Sequence, residues 1–139
     1  MTGIVIVAHT PIASAMLSFA EHTFGVVPER VRAVDIFPHE DTKASFDRVM
    51  KAAYGVNTGN GVLILTDVMG ATPANVASKL EALGPLSGLN TPVIVLAGLN
   101  LPMLMRCISH RGVNLEDLAQ KALAGGQNAI LRLGVKVKE

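Results

Sequence analysis

The chain has 139 residues, half of them hydrophobic and 17% charged, a size and balance that fit one compact domain of roughly 100–200 residues and exclude the disordered class. Its 12 basic and 11 acidic residues leave a formal net charge of +1 with aromatics at only 4%, so there is neither a basic stripe nor a stacking platform for nucleic acid. The single cysteine, Cys107, excludes an internal disulfide and a thiolate metal cluster, and reads as a small buried hydrophobe in a reducing compartment.

The first run, Gly3 to Ala8, is continuously apolar and ends at His9. It lacks a basic n-region and is too short for a signal peptide or a membrane span, so the expectation is a cytoplasmic protein. Uninterrupted Val, Ile and Leu mark a strand covered on both faces of a parallel sheet, and Gly61 to Thr66 and Pro92 to Ala97 read the same way; these three are expected as central strands. Behind His9, Thr10 reads as an N-cap and Pro11 as a first-turn residue, opening a helix whose buried face is Ile12, Ala15, Met16, Phe19 and Ala20. Val31 to Ile36 alternates, which suits an edge strand.

A second helix is expected over 41–54 with Phe46, Val49, Met50 and Ala53 inward. Thr72 and Pro73 repeat the cap-and-proline start for a third that reaches about Leu83. Asn100 to His110 and Asn114 to about Ala124 follow, each with an asparagine cap, and Ile130 to Val137 reads as a last strand. Strand and helix alternate without repeat, linker or low-complexity tract. The expected architecture is therefore a single α/β domain over 1–139, a doubly wound, mainly parallel sheet of four to five strands in the order 2-1-3-4 with a C-terminal edge strand and helices on both faces.

In such a sheet strands 1 and 3 are neighbours at the point where the winding reverses, and ligands bind at the carboxyl ends of the strands there. His9 and Thr10 follow the first strand, "DVMGATPAN" from Asp67 to Asn75 follows the third, and "GLNLP" from Gly98 to Pro102 follows the fourth. His9 and Asp67 are thus expected to meet. A carboxylate on one ring nitrogen selects the tautomer, leaves the other lone pair free and stabilises the charge that develops when it attacks. Gly70, Ala71 and Thr72 lead into a helix start, where small residues let an anion approach unpaired amides; the guest this suits is a phosphoryl group. Thr10, Gly70, Ala71 and Thr72 are the residues expected around it.

His22, His39 and His110 show no metal-ligand spacing to a shared face. Met103 and Met105 read as packing, whereas Met69 lies in the candidate loop. Neither G-x-G-x-x-G after the first strand nor G-x-x-x-x-G-K-[ST] is present, so a nucleotide has no customary cradle, and the phosphoryl donor suggested is another protein.

"IVIVAHTPIA", "GVLILTDVMGATPANVAS" and "VIVLAGLNLPMLM", in this order and spacing, resemble the IIA component of the mannose-type sugar phosphotransferase system over nearly the whole chain. The resemblance implies a cytoplasmic, usually dimeric α/β protein that accepts phosphate from the phosphocarrier HPr on His9 and passes it to a IIB partner. Asp67 then orients the imidazole so that phosphate goes to Nε2, and Thr72 stands where a hydroxyl, usually serine, cradles it. It implies no cofactor and no metal. A free-standing IIA serves a membrane permease or acts as a phosphorylation-state regulator. "GATPAN" departs from many relatives, which have a second glycine and a phenylalanine where Ala71 and Ala74 stand, and this bears on partner choice.

Two other readings share these loops. A receiver-like signalling domain would use Asp67 as its own acceptor with Mg²⁺ held by carboxylates after the first strand, where this chain has His9 and Thr10. A small-anion binding module would need no nucleophile.

Overall fold

The computed structural model describes residues 1–134. In chain order it contains β1 (Gly3–His9), α1 (Ile12–Phe24), β2 (Val31–Ile36), α2 (Thr42–Val56), β3 (Val62–Thr66), α3 (Thr72–Leu83), a 3₁₀ turn (Gly84–Ser87), β4 (Val93–Leu96), α4 (Leu101–Ser109) and α5 (Leu115–Asn128). The strands form one parallel sheet in the order β2-β1-β3-β4. Residues 130–134 form no strand; the remainder of the expected last strand lies outside the described residues.

Because side chains alternate along a strand, each central strand feeds two cores. Ile4, Ile6, Ala8, Leu63 and Leu65 pack beneath α1, α4 and α5, with Ala13, Leu104, Cys107 and Leu118. On the other face Val5, Val7, Val62 and Ile64 meet Val49, Val56, Val76 and Leu80 from α2 and α3. Every residue from Ile4 to Ala8 is fully buried, which is why this stretch carries no polar alternation.

Four local expectations change. Among the described residues the fourth strand pairs only with β3, with Val93, Ile94 and Val95 half-buried; an apolar run alone does not report whether a second neighbour is present. On α1 the residues turned fully inward are Ala13 and Ala20, while Ile12, Ala15 and Phe19 are exposed. Two small alanines meet the sheet there, and the Ser14 amide donates to Asp35 Oδ1 at 3.0 Å. The N-cap of α1 is Pro11, and Thr10 instead donates its amide to Ile36 O at 3.1 Å, continuing the β1–β2 ladder. The N-cap of α3 is Ala71, so Thr72 opens the helix itself and its hydroxyl makes no cap.

The asparagine caps are as expected: Asn100 Oδ1 accepts the Met103 amide and Asn114 Oδ1 the Asp117 amide, each at 2.9 Å. Helix α5 runs on through Gly125 and Gly126 to Asn128. A Cβ at Gly125 would stand 2.9 Å from Arg106 Cβ, and one at Gly126 3.2 Å from Met103 Cβ. These glycines therefore serve the close approach of α4 and α5 rather than ending a helix.

Candidate active site

The loops at the carboxyl ends of β1 and β3 converge as the strand order requires. The β1–β3 ladder ends at Val7 and Thr66, and the Asp67 side chain continues it: Oδ2 accepts the His9 amide at 3.0 Å and lies 2.7 Å from His9 Nδ1. Oδ1 accepts the Val68 amide at 3.0 Å. The main chain beneath is tied to the next loop, with the Gly98 amide on Asp67 O and the Leu99 amide on Thr66 O. Two residues 58 positions apart in sequence are thereby held in one geometry.

The environments of the pair differ. Asp67 keeps only 9% of its side chain exposed and His9 keeps 49%. Burial alone would raise the Asp67 pKa, but hydrogen bonds from the His9 ring and the His9 and Val68 amides outweigh it and hold the carboxyl below its ordinary range. Asp67 is therefore an anion near neutrality, and an anion accepts only; Nδ1 carries the proton and Nε2 keeps its lone pair, on a ring that is half open to solvent. Such an imidazole can act as a nucleophile.

The start of α3 follows at the same end of the sheet, where the loop from Asp67 leads into Thr72. Gly70 adopts φ +86°, a left-handed conformation suited to glycine, and Val68, Met69 and Gly70 are exposed. The first intrahelical bond runs from the Asn75 amide to Ala71 O, Pro73 has no amide, and no side chain caps the helix or places an acid in its first turn. The other α-helices among the described residues differ: Asp41, Asn100 and Asn114 cap α2, α4 and α5, and Asp35 takes an amide at the start of α1. The α3 start thus retains the capacity to receive an anion.

His9, Asp67, Gly70, Ala71 and Thr72 thus belong to one end of the sheet. Thr10 is beside them, with its amide already engaged by Ile36. His22 is exposed on α1, His39 sits in a turn at φ +61°, and the His110 ring bonds Arg106 O. Met103 is buried, Met105 half-buried and Met69 84% exposed. At the rim Phe37 is exposed under the Arg48 guanidinium, which also bonds Glu40 and Asp35 O. Asp35 escaped the sequence reading: its single signal is a carboxylate breaking the apolar pattern near the end of β2, which an edge strand equally explains. A cavity of about 1010 Å³ lies at the opposite end of the sheet, against Thr2, Pro92, Arg111 and Leu115; among the described residues its lining carries no histidine–carboxylate pair.

Fold and site together define a doubly wound α/β protein that presents an acid-oriented histidine at its switch point. A family model described as the PTS system fructose IIA component, EIIA-man, matches residues 3–123, and the chain belongs to this mannose-type IIA family. It is 28% identical over 139 residues to the PTS system mannose-specific EIIAB component of Escherichia coli (strain K12), covering 99% of this chain and 41% of that protein; the chain thus spans about two-fifths of the length of that relative. The phosphotransferase system component EIIA from Streptococcus agalactiae superimposes with a TM-score of 0.82 at 28% identity, over 95% of this chain and 97% of the other. The PTS IIA protein associated with the fucose utilization operon of Streptococcus pneumoniae gives 0.72 at 28% identity, over 95% and 93%. The mannose/sorbose specific IIA subunit from Enterococcus faecalis, at 23% identity with a TM-score of 0.77 over 99% and 98%, shares the fold. Among the described residues no helix is long and apolar enough to cross a membrane.

Proposed function

We propose that this chain is a cytoplasmic phosphoryl relay, taking a phosphoryl group from the phosphohistidine of HPr onto His9 Nε2 and passing it to a IIB partner, or holding it as a phosphorylation-state signal. The observation that carries this reading is the 2.7 Å contact between His9 Nδ1 and an ionised Asp67. As Nε2 attacks phosphorus in line, the phosphorus–nitrogen bond of the donor breaks, and Asp67 stabilises the positive charge growing on the His9 ring. The phosphoryl oxygens face the Thr72 and Ala74 amides and the Thr72 hydroxyl, while Gly70 and Ala71 keep the approach clear. Positioning and fixed dipoles supply the catalysis. The reverse step discharges the ring to the next acceptor.

Transient docking of the donor would use the apolar rim of Phe37, Met69 and Leu101 around His9. A homodimer is part of the same reading, on family grounds. The receiver-like alternative is disfavoured because the Asp67 oxygens are engaged by His9 and Val68. The test incubates the protein with phosphoenolpyruvate, enzyme I and HPr and weighs it. A gain of one phosphoryl group, lost in His9→Ala, is the expected result; an unlabelled wild type or a fully labelled variant refutes it.

A further inference from the structure

Two carboxylates tie down the chain around His9, Asp67 from the loop after β3 and Asp35 from β2. Asp67 holds the ring. Asp35, on β2 opposite Ala8, holds the chain that follows: its Oδ1 accepts the Ser14 amide at 3.0 Å. Ser14 is the third residue of α1, the position that ordinarily bonds the side chain of the helix's own N-cap. Here the N-cap is Pro11, whose ring has no side-chain acceptor for the Ser14 amide, so the acceptor comes from a neighbouring strand, 21 positions away; the Pro11 carbonyl takes the Ala15 amide and the Ser14 hydroxyl. The segment after His9 is consequently pinned by the His9 amide on Asp67, the Thr10 amide on Ile36 and the Ser14 amide on Asp35.

We propose that Asp35 is a positioning residue for His9. By capping α1 from β2 it fixes the turn from Thr10 to Ile12, and with it the direction in which the His9 ring leaves β1. It also fills the amide of a helix that begins only three residues after His9. Left open, that amide would compete for phosphoryl oxygens with the α3 start. The role belongs to the acceptor oxygen, so a carboxamide can serve in its place.

This inference rests on the relay reading, and the experiment separates the two. Wild type, Asp35→Ala, Asp35→Asn, Ser14→Ala and Ser14→Pro are treated with phosphoramidate, a small donor that needs no docking surface. Its phosphorus–nitrogen bond breaks, the phosphoryl group bonds to His9 Nε2 and ammonia leaves with a proton. Asp35→Ala is expected to lower the rate about tenfold by loosening the attack geometry, and to reduce the Nδ1–H tautomer in ¹⁵N spectra of the His9 ring. Asp35→Asn should stay within about twofold of wild type, because the amide oxygen still accepts. Ser14→Pro removes the donor amide in the first turn, where no intrahelical bond is lost; compared with Ser14→Ala, which drops only the hydroxyl bond to Pro11 O, it should reproduce the Asp35→Ala loss even if Asp35→Ala fails to fold. Wild-type rates and ring resonances in Asp35→Ala or Ser14→Pro overturn the proposal, as does an equal loss in Asp35→Asn, which would place the effect in the charge. An unlabelled wild type overturns the relay reading instead, and the tautomer of the unphosphorylated ring then still decides the role of Asp35.

Discussion

Replacing Asp67 by asparagine removes one charge and almost no volume. The side-chain oxygen can still accept the Val68 or His9 amide, so the loop is expected to keep its shape. What is lost is the charge-assisted bond to His9 Nδ1, 2.7 Å long and formed by a carboxylate only 9% exposed. Hydrogen bonds to charged groups contribute about 1.5–3 kcal/mol, and the half-open His9 ring places this one toward the lower part of that range through solvent screening. The bond strengthens as the ring becomes cationic, so its loss falls mainly on the transition state. A loss of about 2 kcal/mol corresponds to about 30-fold in rate. Rapid-quench measurement of phosphoryl transfer from phospho-HPr to Asp67→Asn, with circular dichroism to verify the fold, tests this. Transfer within about twofold of wild type would refute the orienting role.

Acid should expose the same interaction: the Asp67 pKa is lowered by folding from an ordinary value of 3.8, so its stabilisation is present above that value and disappears as pH falls through the lowered one. Chemical denaturation between pH 6 and pH 2 should show a smaller acid loss in Asp67→Asn than in wild type, and identical losses would contradict the assignment. Gly3→Ala should lower stability by about 2–3 kcal/mol through overpacking, since its Cβ would stand 2.5 Å from the Val56 carbonyl oxygen; an unchanged urea midpoint would show that α2 yields freely. Cys107 is fully buried, and burial raises its thiol to about 12, so a thiol reagent at pH 8 should modify it only after unfolding. Rapid modification of the native protein would contradict that packing.

Much of the fold is legible in local sequence because buried parallel strands and capped helices leave local signatures. Ile4 to Ala8 and Val62 to Leu65 are continuous apolar runs because both faces are covered. Asn100 and Asn114 mark helix starts because each supplies an acceptor to the amide three residues on. With right-handed crossovers these elements imply the order 2-1-3-4, and that order brings His9 beside Asp67.

Tertiary structure alone decided the rest, since it depends on which partner a group meets. An apolar run does not state whether a second strand lies beside it, and among the described residues β4 pairs with β3 alone. The periodicity of α1 offered Ile12 and Phe19 as its core face, whereas Ala13 and Ala20 are the residues buried against the sheet. Gly125 and Gly126 look like helix breakers until α4 lies against them. The Asp35 cap comes from a distant strand, so no local pattern announces it. Local sequence specifies what a backbone segment can form and which groups need partners; where several partners could meet a need, only packing selects among them.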